Sequence, residues 1–256
     1  NFPTFDNNFN TDEIKIDKKK FLSLLNKTKI SISNDDTRHY LNGIYLHATE
    51  SEKNTFLTGV ATDSHRLSSS SIQVDKVNNF SSIIIPRKTV FTLCSLLDNS
   101  DESFSIQISD NKIKFILGKI ILISKVIDGK FPDYQKVVPK DNSKILTVLS
   151  DDFINSVERV ASVSLDRKEG VKLELTKDQL KLSVNSTNSG DGNEVVSAKY
   201  TGEDLTIGFN SKYLIDIASE VEDKNLTFSL KDSTSPVLVL DNSDKNSFYV
   251  IMPMKI

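Results

Sequence analysis

The sequence predicts an α+β protein built as a duplication: two helices and a run of antiparallel strands, repeated once. Three observations carry this. Amphipathic helical stripes occur twice in each half, alternating apolar runs separated by turn residues lie between and after them, and each half opens with a short strand leading into a capped helix.

In the first half, Ile14-Lys15-Ile16 reads as a short strand and Asp17 as the N-cap of a helix with Phe21, Leu22, Leu24 and Leu25 on its apolar stripe. Pro86 opens a second helix, with Val90, Phe91, Leu93, Leu96 and Leu97 apolar. Phe104–Ile108 alternates, turns at Asp110-Asn111 and resumes as Ile113-Lys114-Phe115, which is a hairpin with one buried face. In the second half, Leu146–Leu149 leads to Ser150 as the expected cap, with Phe153, Ile154, Val157, Val160 and Ala161 apolar. Val171–Leu175 and Leu180–Val184 repeat the alternating pattern as a hairpin around Lys177-Asp178. The stretch Asn188–Asn193 reads as a loop between strands, and Asn210 or Ser211 caps a last helix bearing Tyr213, Leu214, Ile217 and Val221. The boundary between the halves is expected near Pro139–Ser143.

A chain of 256 residues with 38% hydrophobic content is long enough for two domains with real cores. A net charge of −3 argues against a simple basic nucleic-acid binder. The single Cys94, set in an apolar run, forms no intrachain disulfide and fits a reducing compartment. No apolar stretch approaches the ~20 residues that span a bilayer, and no signal peptide opens the chain, so an intracellular location is expected. The aperiodic, polar opening Asn1–Asn10 reads as a connector from something upstream, and the chain is taken as a fragment.

Charge is distributed unevenly over the helix starts. Lys18, Lys19 and Lys20 crowd one first turn and Arg87-Lys88 another, where cations oppose the macrodipole, whereas Asp151-Asp152 obey the ordinary rule in the second half. A phosphate backbone is a candidate counter-charge. Enzymatic readings fail on arrangement. Asp63, Ser64 and His65 are the residue types of a hydrolase triad, but three consecutive loop residues cannot converge, and no Gly-x-Ser-x-Gly elbow occurs. His39, His47 and His65 lack metal-ligand spacing, and the nine glycines form no phosphate loop.

Several short segments, in order, resemble the bacterial sliding clamp, the beta subunit of DNA polymerase III. They are Arg38–Gly43, Val60–Asp63 running into Ser64-His65-Arg66-Leu67, Ile85–Lys88, Asp128–Tyr134, Ile207–Asn210, Asp232-Ser233 and the ending Tyr249–Ile256. The resemblance implies two of the family's three clamp domains, with antiparallel sheets outside and two helices each inside. Residues 1–10 would be a linker from a missing first domain, 11–141 the middle domain and 142–256 the C-terminal domain.

It further implies a non-catalytic processivity factor of the DNA-directed DNA polymerase holoenzyme, in the bacterial cytoplasm, with no cofactor. Such a subunit pairs head-to-tail with itself into a ring around duplex DNA, without sequence preference. It would tether the replicative polymerase catalytic subunit, the clamp loader, and other polymerases and repair proteins that carry clamp-binding motifs. Their docking pocket, implied to lie between the two domains, would use Leu41, Thr62, Ser64, His65, Arg66, Leu67, Pro132, Lys136, Val137, Val250 and Met252. An adjoining part would use Asn210, Tyr213, Thr234, Pro236, Pro253, Met254 and Lys255. Leu, Val, Met and Pro give adaptable apolar walls for a peptide containing Gln and apolar or aromatic residues, and His65, Arg66 and Asn210 orient it. The DNA-facing set would be Lys18, Lys19, Lys20, Arg38, His39, Tyr40, Arg87 and Lys88. The sequence departs from the family pattern at Ser64, often Gly, and at Lys136 and Lys255, commonly Arg.

Overall fold

In a computed structural model of the chain, which describes residues 9, 13–51, 54–75, 80–99, 102–163, 170–186 and 190–256, one element order occurs twice. It runs β1 (Ile14–Lys15), α1 (Lys18–Lys29), β2 (Gly43–Ser51), β3 (Asn54–Thr62), β4 (Arg66–Val74), β5 (Ile83–Pro86), α2 (Arg87–Asp98), β6 (Phe104–Ile108), β7 (Lys112–Leu117) and β8 (Ile120–Lys125). The repeat is β9 (Lys144–Leu149), α3 (Ser150–Ala161), β10 (Gly170–Thr176), β11 (Gln179–Ser186), β12 (Gly190–Thr201), β13 (Leu205–Asn210), α4 (Ser211–Ala218), β14 (Asn225–Leu230), β15 (Val237–Asp241) and β16 (Ser247–Ile251).

The pairing repeats with the order. In the first unit the strands run β1-β6-β7-β8 and β4-β3-β2-β5; in the second, β9-β14-β15-β16 and β12-β11-β10-β13 take the same places. The paired strands are antiparallel, as in Ile106↔Phe115 of β6 and β7 and Leu173↔Leu182 of β10 and β11. The α+β duplication expected from the sequence is therefore the fold. The units comprise Asn1–Asp63 with Ser69–Pro132, and Ser64–Ser68 with Asp133–Ile256. A five-residue piece from the middle of the first half thus belongs to the second unit.

The helices form for the expected reasons, with informative exceptions. Asp17 caps α1, its carboxylate accepting from the Lys20 backbone N–H at 3.0 Å. Phe21, Leu24, Leu25 and Thr28 recur at three- and four-residue intervals and are buried. In α2, Val90, Leu93, Cys94 and Leu97 face the core, but Phe91 is 43% exposed. Position 91 lies one residue past Val90, about 100° around the helix, and so leaves the buried stripe. Ser150 does not cap α3: it is the first helical residue, buried, with its hydroxyl 3.4 Å from the Ala218 carbonyl, and Leu149 stands at the cap. Asn210 caps α4 by accepting from the Tyr213 N–H at 3.3 Å.

The loop expected at Asn188–Asn193 is corrected as far as it is described. Gly190–Asn193 belong to β12, with Gly192 opposite Val184, while 187–189 lie outside the described residues. A Cβ at Gly192 would come within 2.9 Å of the Val160 carbonyl oxygen, so this glycine serves a close helix–strand approach and not a turn. Most of the expected linker 1–10 also lies outside the described residues. Among the described residues, no helix is long and apolar enough to cross a membrane.

Candidate functional site

Within the second unit, the Ser64–Ser68 piece, helix α4 and the C-terminal tail come together. Ser64 holds φ +78°, a left-handed conformation that glycine adopts without strain, which lets the backbone reverse ahead of His65. The His65 carbonyl then accepts from the Met252 N–H at 2.8 Å and fixes the tail to this turn. Arg66 points inward. It is 7% exposed, its Nη1 donates to Asp216 Oδ2 at 2.7 Å, and its guanidinium lies 4.2 Å from the centre of the Tyr213 ring. On the next turn of the wall the His65 ring is 6.5 Å from that of Tyr213, at 28°.

Asp216 was not singled out from the sequence, and it organises this group. One face of α4 presents Lys212, Tyr213 and Asp216, and Lys212 Nζ reaches both Asp216 oxygens at 3.2 Å. The sequence signal was available only as the three-residue spacing from Tyr213 to Asp216 on a helix.

The other expected docking residues divide by exposure. Leu67 and Val250 are each 3% exposed and back the wall from inside, whereas Met252 and Val137 are 39% and 51% exposed. Pro253 and Met254 are half-buried and Lys255 is exposed. The exposed Lys136 pairs with Asp133 at 3.2 Å. Thr234 and Pro236 lie on a turn organised by Asp232, whose carboxylate accepts from the N–H and hydroxyl of both Thr234 and Ser235 at 2.7–2.9 Å. These donors hold the Asp232 carboxyl far below the usual carboxylate range. Leu41, Thr62 and Pro132 belong to the first unit, where Leu41 is buried, Thr62 half-buried and Pro132 exposed.

The tail continues along β13, with the Met254 N–H donating to the Gly208 carbonyl at 2.9 Å. Together with β10, β11 and β13 it lines a cavity of about 520 Å³ that includes Lys172, Asn185, Thr206, Met254 and Lys255.

In the first unit, the basic helix starts do not form one cluster. Lys29, at the end of α1, and Arg87, at the start of α2, both lie over the Phe91 ring, 6.0 and 5.1 Å from its centre. The helices therefore run antiparallel, and Lys18–Lys20 sit at the far end of the pair, roughly 15 Å along the axis. Lys19, Lys20 and Lys88 are exposed, and Arg87 donates to Asn34. Arg38 is held by Asp35 at 2.9 Å, which offsets its charge, and His39 Nε2 lies 3.1 Å from the Asp128 carbonyl. Tyr40 is half-buried, its Cβ 3.0 Å from where a side chain on Gly129 would begin.

Comparison with known proteins gives these arrangements a family. The family model for the DNA polymerase III beta subunit central domain matches residues 15–133, and that for its C-terminal domain matches 135–255. The beta sliding clamp of Caulobacter vibrioides is 37% identical over the whole chain, and that of Escherichia coli K12 is 34% identical; the chain spans 69% of each. Among solved structures, a Caulobacter crescentus clamp with bound polyethylene glycol superposes with a TM-score of 0.96 at 37% identity, over all of this chain and 68% of that one. A Bartonella birtlesii clamp bound to griselimycin gives 0.94 at 39% identity, over all of this chain and 69% of that one.

Proposed function

This chain belongs to the bacterial beta sliding clamp family, the processivity factors of DNA polymerase III, and from that premise we propose that its second unit is the docking face for partner peptides. The clamp acts in DNA replication, with DNA and the polymerase as its partners, and contributes processivity and not catalysis. The finer assignments are ours. The wall formed by Ser64–Leu67, Tyr213 and the Met252–Lys255 tail takes an extended peptide with a Gln and apolar or aromatic residues. Such peptides come from the polymerase catalytic subunit, the clamp loader, and other polymerases and repair proteins. The helices of the first unit face duplex DNA, which a head-to-tail ring of subunits encircles in the cytoplasm.

One observation carries the docking assignment: the Met252 N–H to His65 carbonyl bond. It joins the two segments that most resemble the family, leaves Met252 39% exposed, and ties the tail to the residue next to Arg66, whose guanidinium covers the Tyr213 ring. An exposed methionine side chain is a surface that gains by being covered. A related Caulobacter clamp has polyethylene glycol bound and a related Bartonella clamp has griselimycin bound, so clamps of this family take small ligands.

The test is calorimetry with a short synthetic peptide of that composition. Deleting Met252–Ile256 removes one wall, and losing such an anchor costs on the order of 2 kcal/mol, or roughly thirtyfold in affinity. Equal affinity with and without those residues would show that the peptide binds elsewhere.

A further inference from the structure

Two glycines distant in sequence from the Ser64 turn border the tail. Gly170 and Gly208 sit on the paired strands β10 and β13, where Gly208 is opposite Lys172 and Gly170 opposite Asn210. Neither is among the residues with positive φ, so neither is needed for an unusual backbone conformation. What they lack is a side chain. A Cβ on Gly208 would stand 2.5 Å from Ile256 Cγ2 and 2.9 Å from the Met254 carbonyl oxygen. One on Gly170 would stand 2.9 Å from both Ile256 Cγ2 and Met254 Sδ. Glycine inside a strand marks a close approach of another chain segment, and here that segment is the tail.

The tail has two backbone tethers, Met252 N–H to the His65 carbonyl and Met254 N–H to the Gly208 carbonyl. The second depends on the tail lying flat on the strand. Any side chain at Gly208 would push against the Met254 main chain, which cannot swing aside as a side-chain tip can. The Met254 amide would then leave its acceptor, and Met252 and Pro253 would be held from one end only.

We propose that Gly170 and Gly208 are positioning residues for peptide docking: their bare backbone is the seat that sets the tail, and so the Met252–Lys255 side of the docking wall, at its binding height. This rests on the docking assignment above and adds to it a site that touches no peptide. A substitution here is expected to spare the fold. The three atoms nearest each missing Cβ all belong to the tail, and none belongs to the core.

The experiment compares the wild-type protein with Gly208→Ala and Gly170→Ala, using the same synthetic peptide. Gly208→Ala should weaken binding roughly tenfold, as for loss of an ordered contact at an interface. Gly170→Ala, which meets only flexible side-chain ends, should weaken it less. Amide hydrogen exchange supplies the readout that a general structural defect would not reproduce. In Gly208→Ala the Met254 amide should lose protection while the β10–β13 amides keep theirs. Affinity within twofold of wild type, or a Met254 amide still protected in Gly208→Ala, would overturn the proposal. If the wild-type protein itself does not bind the peptide, the docking assignment falls and this proposal with it; the exchange result alone then reports whether the glycines seat the tail.

Discussion

The Arg66–Asp216 pair offers the sharpest quantitative test of how the proposed docking wall is held. The perturbations are Arg66→Met, which keeps much of the aliphatic stem, Asp216→Asn, which keeps the shape, and both together. Breaking a buried ion pair from one side costs about 3–5 kcal/mol, because a buried charge is left without its partner. Here the Asp216 side chain is 21% exposed and Lys212 stays 3.2 Å from both of its oxygens, so losing Arg66 should cost nearer to about 2 kcal/mol from the carboxylate. Removing the guanidinium from the Tyr213 ring at 4.2 Å adds about 1 kcal/mol. Asp216→Asn leaves Arg66, 7% exposed, facing a neutral acceptor, at about 2 kcal/mol. If the two groups act as one unit, the double variant should fall short of the sum by about 1–2 kcal/mol. Urea unfolding can be followed by tyrosine fluorescence, since the chain has six Tyr and no Trp. The same cycle run on peptide affinity should show the same sign of coupling. Single effects that add to within about 0.5 kcal/mol would refute the idea that Asp216 acts through Arg66.

Two further outcomes are expected. Replacing Lys18, Lys19, Lys20, Arg87 and Lys88 with Glu should reduce the processivity of primer extension and leave peptide affinity unchanged, because the reversed charges lie on the first unit's helices; unaltered processivity would remove those helices from the DNA-facing role. The Thr234–Pro236 turn should survive acid that protonates ordinary carboxylates. The folded Asp232 value is depressed from its usual 3.8, so its contribution is fully present above that value and is lost only as pH falls through the lower folded one. Amide shifts of Thr234 and Ser235 followed down in pH check this, and a transition at the ordinary carboxylate range would contradict it.

The fold was legible where local chemistry repeats. Phe21, Leu24 and Leu25 at helical spacing behind the Asp17 cap, and the alternation of Phe104–Ile108 and Val171–Leu175, needed nothing distant to be read. Positions decided by tertiary contact were not legible. Ser150 has the composition of a cap but is drawn inward toward the Ala218 carbonyl. Phe91 has the composition of a core residue but falls outside the buried stripe and takes Arg87 and Lys29 over its ring instead. Gly190–Asn193 look like a loop, yet Gly192 is there to let β12 pass the backbone of α3. The strand β4 was hidden because its buried positions include Ser68, Ser69 and Ser70, which break the apolar pattern. The site divides in the same way. The motif residues at Ser64–Leu67 and in the tail were visible, whereas Asp216, 150 residues from Arg66, carries no sign of its partner in the sequence around it.

That separation has a consequence during synthesis. Ser64–Ser68 emerges from the ribosome with the first unit, but its partners Asp216 and Met252 are made only after the whole of that unit. The sheet of the second unit also waits, since β9 pairs with β14. A chain not yet elongated to Met252 therefore holds the Ser64–Ser68 turn without the partners that fix it. On the docking assignment proposed above, only a chain elongated past Met252 presents the completed wall.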